Sequence, residues 1–420
     1  MITSIKGTRD ILPPESSLWS RVESTTRETL ELYGFAEIRT PIFERTELFA
    51  RSVGEDTDIV SKEMYTFHDR DDASLTLRPE GTAPVVRAYL EHQLYRDAHL
   101  LKLYYIGPMF RRERPQKGRY RQFHQVGAEV LGSDNPAIEA EVIEMIQLFL
   151  ERVGINEFSL LVNSIGCSNC RPTFLEELKK ALASKKSLLC ADCQRRSETN
   201  PLRVLDCKIE SCQPVINSLP SISDFLDEAC RNHFEKFLEH LRERGISFKL
   251  VPRLVRGLDY YTRTTFEITS EVLGAQNTLV GGGRYDGLSE ILQGPPTQGF
   301  GFALGLERLI LVLQASGSLQ HYRPLQVFLA PLGEPAFSKA ALLARHLRRQ
   351  GLVCSYDFEA RSLKSALRLA NKLQAQFVLI IGETELQTGR YPLKRMSDGS
   401  QTEVSLDEIS KTVLSATRQE

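Results

Sequence analysis

Residues 101–131 read LKLYYIGPMFRRERPQKGRYRQFHQVGAEVL, and this stretch decides the fold. Apolar and polar side chains alternate over 101–111 and again over 121–131, which is the pattern of two paired strands. The connection over 114–120 is rich in Pro, Lys and Gly, the composition of a tight link between antiparallel strands. The sequence therefore predicts an antiparallel hairpin.

One face of the second strand carries groups that a purely structural strand would not bury. Side chains two apart share a face, so a cation, an aromatic ring, an amide, a gap and a carboxylate come together in Arg121, Phe123, Gln125, Gly127 and Glu129. The opposite face, from His124 to Val130, is expected to join the core. The basic connection alone has a second interpretation as a solvated charge run. The strand periodicity favours a binding surface, on which guanidinium groups suit phosphate oxygens.

Helix and strand patterns surround the hairpin on both sides. They predict a helix over 13–33, an edge strand over 35–39, a helix over 136–152, strands over 254–268 and 299–304, and a helix over 306–313. After a linker over 316–324, strand and helix patterns alternate from Val327 to Ile381. This alternation predicts a small C-terminal α/β domain with parallel strands.

Composition limits the class of protein without deciding it. The chain has 420 residues, enough for two or three domains, with 53 basic and 54 acidic side chains. Any nucleic-acid contact must therefore come from local basic patches. The amino terminus has no apolar leader pattern, and no later stretch is apolar enough for a membrane helix. We expect a soluble cytoplasmic protein.

Six of the eight cysteines crowd between Cys167 and Cys212, within a charged segment over 166–244 that has the composition of an insertion. Two Cys-x-x-Cys pairs, Cys167 with Cys170 and Cys190 with Cys193, are separated by a spacing suited to tetrahedral zinc. We expect these four thiols to be the ligands if the insertion holds a structural zinc ion. Cys207 and Cys212 leave the pairing open.

Several motifs occur in the order found in one enzyme family. Residues 110–125 resemble motif 2 of class II aminoacyl-tRNA synthetases in its histidyl form, GLERL at 305–309 is similar to motif 3, and motif 1 rests mainly on Pro41. Residues 77–82 (LRPEGT), 254–264 (LVRGLDYYTRT) and 281–287 (GGGRYDG) are similar to histidyl signatures. Because they occur together and in order, the chain resembles the histidyl-tRNA synthetases.

The resemblance implies a fold class and an activity. The fold would be α/β, with an α+β catalytic domain over 1–320 built on a mixed, mostly antiparallel sheet and interrupted by the insertion. A small anticodon-binding domain would follow over 325–420. The activity would be ATP-dependent ligation of L-histidine to tRNA(His) through a histidyl-adenylate, with release of AMP and pyrophosphate. A homodimer is implied by motif 1.

The resemblance also implies roles for residues of the ATP site. Arg111 would bind the α-phosphate, Glu113 would contact the adenosine end, and Phe123 would stack on adenine. Arg308, at a helix start, would meet the phosphates. Arg111 and Arg256 would stabilise the charge that develops on the α-phosphoryl oxygens, with Mg²⁺ bridging the phosphates.

The amino acid and the tRNA would be held by further residues. Glu80, Gln125 and Glu129 would supply hydrogen-bond acceptors, and Gln116 would approach the acceptor end of the tRNA. The full set implied for histidine binding is Glu80, Gly81, Thr82, Arg111, Gln125, Glu129, Arg256, Tyr260, Tyr261 and Tyr285. The alternative is a catalytically inactive paralogue, acting as a regulatory subunit or as a tRNA-binding module.

Overall fold

The structure, a computed structural model, describes residues 1–55, 57–274, 277–316, 325–359 and 362–417. The chain divides into two compact units, Met1–Leu319 and Gln320–Glu420. Most of the linker expected over 316–324 lies outside the described residues. Within the described residues, no helix has the length and apolar character needed to cross a membrane.

The first unit contains ten α-helices and eleven strands among its described residues. The helices are α1 Glu15–Leu32, α2 Thr46–Val53, α3 Thr82–Glu91, α4 Pro136–Val153, α5 Arg171–Ala183, α6 Ala191–Thr199, α7 Gln213–Asn217, α8 Glu228–Glu243, α9 Leu288–Ile291 and α10 Leu306–Ala315. The strands are β1 Ala36–Glu37, β2 Phe43–Arg45, β3 Tyr65–His68, β4 Ser74–Leu77, β5 Leu101–Phe110, β6 Gln122–Leu131, β7 Ser159–Ser164, β8 Lys249–Leu250, β9 Thr262–Thr269, β10 Thr278–Arg284 and β11 Gly299–Gly305.

Eight of these strands form one mixed sheet in the order β1-β5-β6-β11-β10-β9-β7-β8. The pairs β1/β5 and β7/β8 at the two edges are parallel, and the pairs between them are antiparallel. This is the mixed, mostly antiparallel sheet that the sequence predicts. The short strand β1 lies at a sheet edge, as the proline after it indicates.

The predicted hairpin is formed by β5 and β6, which pair from Leu101 opposite Leu131 to Phe110 opposite Gln122. Val126, Ala128 and Val130 point into the main core, which they share with the apolar faces of α1, α4 and α10. His124 lies on this face too, as expected, with its ring 5.1 Å from that of the core residue Trp19, but it is only partly buried and its backbone N–H and ring contact Glu307. The other face of β6 is thereby left for the functional site.

One strand prediction is wrong in its start. The pattern over 254–268 predicts a single strand, but β9 begins only at Thr262. The backbone before it is irregular, because its carbonyl groups bond side chains: Asn163 Nδ2 donates to Leu254 O at 2.9 Å and Arg203 Nη1 donates to Arg256 O at 3.4 Å. These bonds replace a strand ladder and turn Arg256 toward the sheet.

The three remaining strands of the first unit form a small sheet in the order β2-β4-β3. The insertion supplies α5 to α8. The buried side chains of α5 to α7 form a second core together with Val255, Tyr260, Tyr261 and Tyr285, whereas α8 packs mainly into the first core. Since those four side chains come from the two histidyl-like signatures, the insertion packs directly behind the functional site.

The second unit is a five-stranded sheet flanked by helices. Its elements are β12 Val327–Pro331, α11 Glu334–Arg349, β13 Cys354–Tyr356, α12 Leu363–Lys372, β14 Phe377–Ile381, α13 Glu383–Thr388, β15 Arg390–Arg395, β16 Gln401–Ser405 and α14 Leu406–Thr417. The strands β13, β12 and β14 are parallel, which confirms the predicted α/β domain. The sequence patterns missed β15 and β16, which continue the sheet antiparallel to β14.

Candidate active site

A pocket of about 360 Å³ opens over the polar face of β6, where strands of the large sheet meet the insertion. Ten of the residues implied by the resemblance line it: Glu80, Thr82, Arg111, Glu113, Phe123, Gln125, Arg256, Tyr260, Tyr261 and Arg308. These side chains are up to about 230 positions apart in the sequence. The fold therefore gathers most of the candidate residues in one place.

Glu80 lies at the start of α3. Its carboxylate accepts hydrogen bonds from the backbone N–H groups of Thr82 and Ala83, each at 2.8 Å. Gly81, which follows Glu80, packs against the ring of Tyr105 beneath the pocket. Burial raises the pKa of Glu80 above its ordinary value, although the two N–H groups act in the opposite direction.

Glu129 is the deepest acidic group of the site and is fully buried. Its carboxylate accepts one hydrogen bond from Thr82 Oγ1 at 2.7 Å and one from Tyr285 Oη at 2.6 Å. Burial raises the pKa of Glu129 to about 8, and the carboxylate of Glu80 adds to the rise. Glu129 and Tyr285 thus lie just behind the pocket wall, where the hydrogen bonds fix the Glu129 carboxyl group as an acceptor.

Gln125 offers an acceptor without a partner. Its side chain is 9% exposed and lines the pocket, and its Oε1 accepts no hydrogen bond from any described residue. An unsatisfied buried oxygen costs free energy on the order of 1–3 kcal/mol, so such atoms are usually completed by a ligand or water. Gln125 is therefore suited to receive a donor such as an ammonium group.

Three tyrosines enclose the apolar side of the pocket. The ring of Tyr260 lies 4.8 Å from that of Tyr261 and 5.8 Å from that of Tyr285, measured between centroids. All three rings are buried. Tyr260 and Tyr261 line the pocket, and Tyr285 lies behind them and donates a hydrogen bond to Glu129.

Arginines line the other side of the pocket. Arg111 Nε donates to Pro79 O at 2.9 Å, which holds its guanidinium 5.3 Å from the centre of the Phe123 ring. Arg308 Nη1 donates to Thr278 O at 2.8 Å. Burial lowers the pKa of Arg308, and the positive charges of Arg119 and Arg111 nearby add to that effect. This concentration of positive charge is suited to a polyphosphate.

Arg256 is held by a partner that the sequence reasoning missed. Its Nη1 lies 2.5 Å from Glu267 Oε1, while Glu267 Oε2 accepts from Thr278 Oγ1 at 2.9 Å. A Cβ on Gly281 would overlap the guanidinium group, so the glycine allows its close approach to β10. The signal for Glu267 was a single acid between apolar residues inside a strand pattern.

Asp206 and Lys208 of the insertion also line the pocket and were not predicted. No local pattern marks them, because only the folded path of the insertion brings them to the pocket.

Two residues of the hairpin that were expected to bind substrates, Arg121 and Gln116, lie outside the pocket. Arg121 was expected on the binding face, but its guanidinium turns away and donates to Lys6 O at 3.3 Å. Gln116 is exposed in the β5–β6 connection and does not line the pocket.

The cysteines form two clusters and not the single predicted one. The four-cysteine cluster consists of Cys190, Cys193, Cys207 and Cys212, and the three-cysteine cluster of Cys167, Cys170 and Cys230 with Asp227. The expected set of Cys167, Cys170, Cys190 and Cys193 is wrong because α5, with 13 residues, separates the two Cys-x-x-Cys pairs. A helix of that length spans about 20 Å.

Comparison with known proteins gives consistent results over the whole chain. A family model described as histidyl-tRNA synthetase matches residues 7–309, and one described as an anticodon binding domain matches 326–416. A histidine–tRNA ligase of Solibacter usitatus is 55% identical over 411 residues, with 98% of each chain covered. One of Koribacter versatilis is 52% identical, covering 98% of this chain and 95% of its own. Apo S. aureus histidyl-tRNA synthetase has a TM-score of 0.82 at 39% identity, with 98% of this chain and 100% of that one covered.

Proposed function

The chain belongs to the histidyl-tRNA synthetase family, and from this premise we propose how its residues divide the work of ligating histidine to tRNA. It is a class II aminoacyl-tRNA synthetase that uses ATP, histidine and tRNA as substrates. The relatives favour this ligase over the inactive paralogue considered above. The observation that supports the division of work is the single pocket shared by buried acceptors and arginines.

Histidine would lie with its imidazole beside the rings of Tyr260 and Tyr261, which line the pocket, and its ring N–H toward Glu129. The carboxylate of Glu129 is already oriented by Thr82 and Tyr285, so it need not reorganise when the ring arrives. Glu80 and the unpaired Gln125 Oε1 would receive the ammonium group. An apolar analogue would leave these buried acceptors unpaired, which is a strong basis for discrimination.

ATP would lie along the arginine side, with adenine on the Phe123 ring, its adenosine end near Glu113, and its phosphates near Arg308. Arg111 and Arg256 would face the α-phosphate from two sides. When the histidine carboxylate attacks that phosphorus, charge grows on the phosphoryl oxygens and pyrophosphate leaves. Fixed guanidinium groups stabilise this charge without reorganisation, because Pro79 O holds Arg111 and Glu267 holds Arg256.

The residues present fit a magnesium ion that arrives with ATP. Mg²⁺ prefers oxygen ligands and takes few from the protein when it is bound to phosphates. The carboxylates of Glu113 and Glu267 line the pocket beside the arginines and would be the protein groups near it. The ion would neutralise phosphate charge and orient the leaving pyrophosphate.

The tRNA would be contacted at two places. Gln116 is exposed in the β5–β6 connection, the loop that the resemblance assigns to the acceptor end. The domain over 325–420 would bind the anticodon, in line with the family match over 326–416. We propose a cytoplasmic location because ATP, histidine and tRNA are the substrates of protein synthesis.

We also propose a homodimer that uses the small sheet next to Pro41. Phe43 on β2 and Phe67 on β3 are 53% and 43% exposed, and their ring centroids lie 6.5 Å apart. Two large exposed rings side by side are unusual on a free surface. Light scattering should give twice the 47.5 kDa chain mass. Phe43→Glu with Phe67→Glu should give the single mass, and Leu188→Glu, a control in the insertion, should not. A monomeric wild type would contradict the proposal.

Amino-acid-dependent exchange of pyrophosphate into ATP tests the function directly. With Mg²⁺ and each amino acid in turn, only histidine should support exchange, and Arg256→Ala should abolish it while the protein stays folded by circular dichroism. Ligation to tRNA is measured separately with labelled histidine. Absence of histidine-dependent exchange in the intact chain would refute the proposed pocket.

A further inference from the structure

The two cysteine clusters have the dimensions of occupied metal sites. In each cluster, all candidate ligand atoms lie within 4.8 Å of one another. Four thiolates at about 2.3 Å from a tetrahedral zinc ion are about 3.8 Å apart. The Sγ atoms of Cys190 and Cys207 are 4.0 Å apart, and those of Cys167 and Cys170 are 3.7 Å apart. The ligand atoms of each cluster are therefore already close enough to enclose a metal ion.

Backbone N–H groups point at the sulfur atoms of both clusters. In the four-cysteine cluster, Cys190 N donates to Cys212 Sγ at 3.2 Å and Ile209 N to Cys207 Sγ at 3.5 Å. In the three-cysteine cluster, Asn169 N donates to Cys167 Sγ at 3.4 Å and Asp227 N to Cys170 Sγ at 3.2 Å. Such donors stabilise thiolates, which are the ligand form of cysteine, and are typical surroundings of metal ligands.

The fourth ligand of the three-cysteine cluster would be a carboxylate. Asp227 Oδ1 accepts from Cys230 N at 2.7 Å and so caps α8, which fixes the side chain. Its Oδ2 lies 3.3 Å from Cys167 Sγ and faces the sulfur atoms. Three sulfur atoms and one oriented carboxylate oxygen form a tetrahedral ligand set that zinc accepts.

The segment between Cys190 and Cys212 has too few apolar side chains to be stable without a cross-link. Between Cys190 and Cys212 the chain forms the polar helix α6 and short turns, with few apolar side chains for a core of their own. Small segments of this kind are commonly held by a metal or disulfides. Disulfides are the less suitable explanation, because all eight cysteines are free thiols in the structure.

We propose that the insertion is a structural module that binds two zinc ions. One ion would be bound by the thiolates of the four-cysteine cluster, and the other by the three-cysteine cluster with Asp227. Each thiol releases its proton to solvent on binding, and no oxidation occurs. This ligand assignment does not depend on the substrate roles given above.

The four-cysteine cluster connects to the active site through its own chain. Cys207 stands between Asp206 and Lys208, both of which line the pocket. Arg203, four residues earlier, donates to the backbone oxygen of Arg256. A zinc ion at Cys207 would therefore fix the part of the pocket wall that the insertion supplies.

The three-cysteine cluster also connects to residues that line the pocket. Arg171 follows Cys170 directly, and its guanidinium donates to the backbone oxygens of Ile165 and Tyr261. Loss of either ion should therefore loosen residues that face the substrates, in addition to lowering stability.

The proposal is tested by the metal content of the purified full-length protein. Inductively coupled plasma mass spectrometry measures it. We expect about two zinc ions per chain, falling to about one in Cys193→Ser and about one in Cys230→Ser. The matched control is Cys354→Ser, because Cys354 is buried in the second unit and belongs to neither cluster; it should keep about two. A wild-type value near one overturns the second site, and a value near zero overturns both.

A second measurement uses only the wild-type protein, so it does not depend on whether the cysteine variants fold. Cobalt(II) exchanged into the wild-type protein should show the strong visible bands of tetrahedral cobalt and charge-transfer absorption from thiolate. The charge-transfer intensity should correspond to seven thiolates over two ions, as the two clusters contain. Weak octahedral bands without thiolate absorption would overturn the proposal.

Discussion

Glu129 is unusual as a single residue because the pocket keeps an acidic group away from water before any substrate is present. Its pKa rises from an ordinary 4.5 to about 8 through burial. Between pH 4.5 and about 8, the Glu129 carboxyl therefore keeps its proton in the folded chain but has released it in the unfolded chain. Its contribution to the free energy of unfolding must fall as pH rises from 4.5 to about 8, and it stays constant above that.

This linkage gives a pH prediction for Glu129→Gln. The amide cannot ionise, so the variant should gain stability relative to the wild type as pH rises through that window. Melting temperatures of both proteins, measured at several pH values without ligand, check it. Parallel curves for the two proteins would mean that the carboxyl is not held protonated.

Gly301 on β11 is a second residue whose identity is fixed by close approach. A Cβ there would overlap the Glu129 carboxylate and Ala128 O. We expect Gly301→Ala to lower the free energy of unfolding by about 1–3 kcal/mol through overpacking. Gly305→Ala, on the same strand but with nothing within 4 Å of the added Cβ, should change it by less than about 0.5 kcal/mol. Equal effects in denaturant unfolding would contradict this packing argument.

At the level of elements, sequence reasoning succeeded where the signal is local. The hairpin β5–β6 was predicted to within a residue at each end, because its alternation and its connection lie in one short stretch. The strand expected from Leu254 failed because that backbone bonds Asn163 and Arg203, which are distant in sequence. The cysteine pairing failed for the same reason, since Cys207 and Cys230 reach their clusters only through the folded insertion.

The β5–β6 connection carries a prediction about tRNA. If Gln116 bonds the acceptor end, Gln116→Ala should lower kcat/KM for tRNA about fivefold, the effect of roughly 1 kcal/mol from one lost hydrogen bond. Histidine-dependent pyrophosphate exchange should not change, since the side chain does not line the pocket. Gln147→Ala on α4, where the partly exposed side chain donates to Glu151 at 3.0 Å, is the control. A matching loss in exchange would place Gln116 in the adenylation site instead.

At the level of the whole molecule, we expect the two compact units to divide adenylation and tRNA recognition between them. A chain ending at Ser316 retains every residue that lines the pocket. It should form adenylate at the normal rate but charge tRNA at least about tenfold less well, because each 1.4 kcal/mol of lost binding is a factor of ten. Exchange and charging assays on the same preparation check it. Unchanged charging would remove the second unit from tRNA recognition.

The residues that line the pocket were predicted from the sequence only in part. Motifs 77–82, 110–125 and 254–264 identified most of the residues that line it, because each carries its chemistry in a short run. Glu267 had a local signal, a single acid between apolar residues of a strand pattern, but nothing near it in the sequence indicated that it would face the pocket. Asp206 and Lys208 had no local signal, because only the folded path of the insertion brings them to the pocket.

The central claim is that Glu129 reads the imidazole of histidine while the arginines hold ATP. Pyrophosphate exchange by Glu129→Gln, with histidine and ATP varied separately, tests it most directly. The KM for histidine should rise by roughly tenfold, as for the loss of one hydrogen bond of about 1.4 kcal/mol, and the KM for ATP should stay within about twofold. Equal increases in both constants, or no increase for histidine, would contradict the claim.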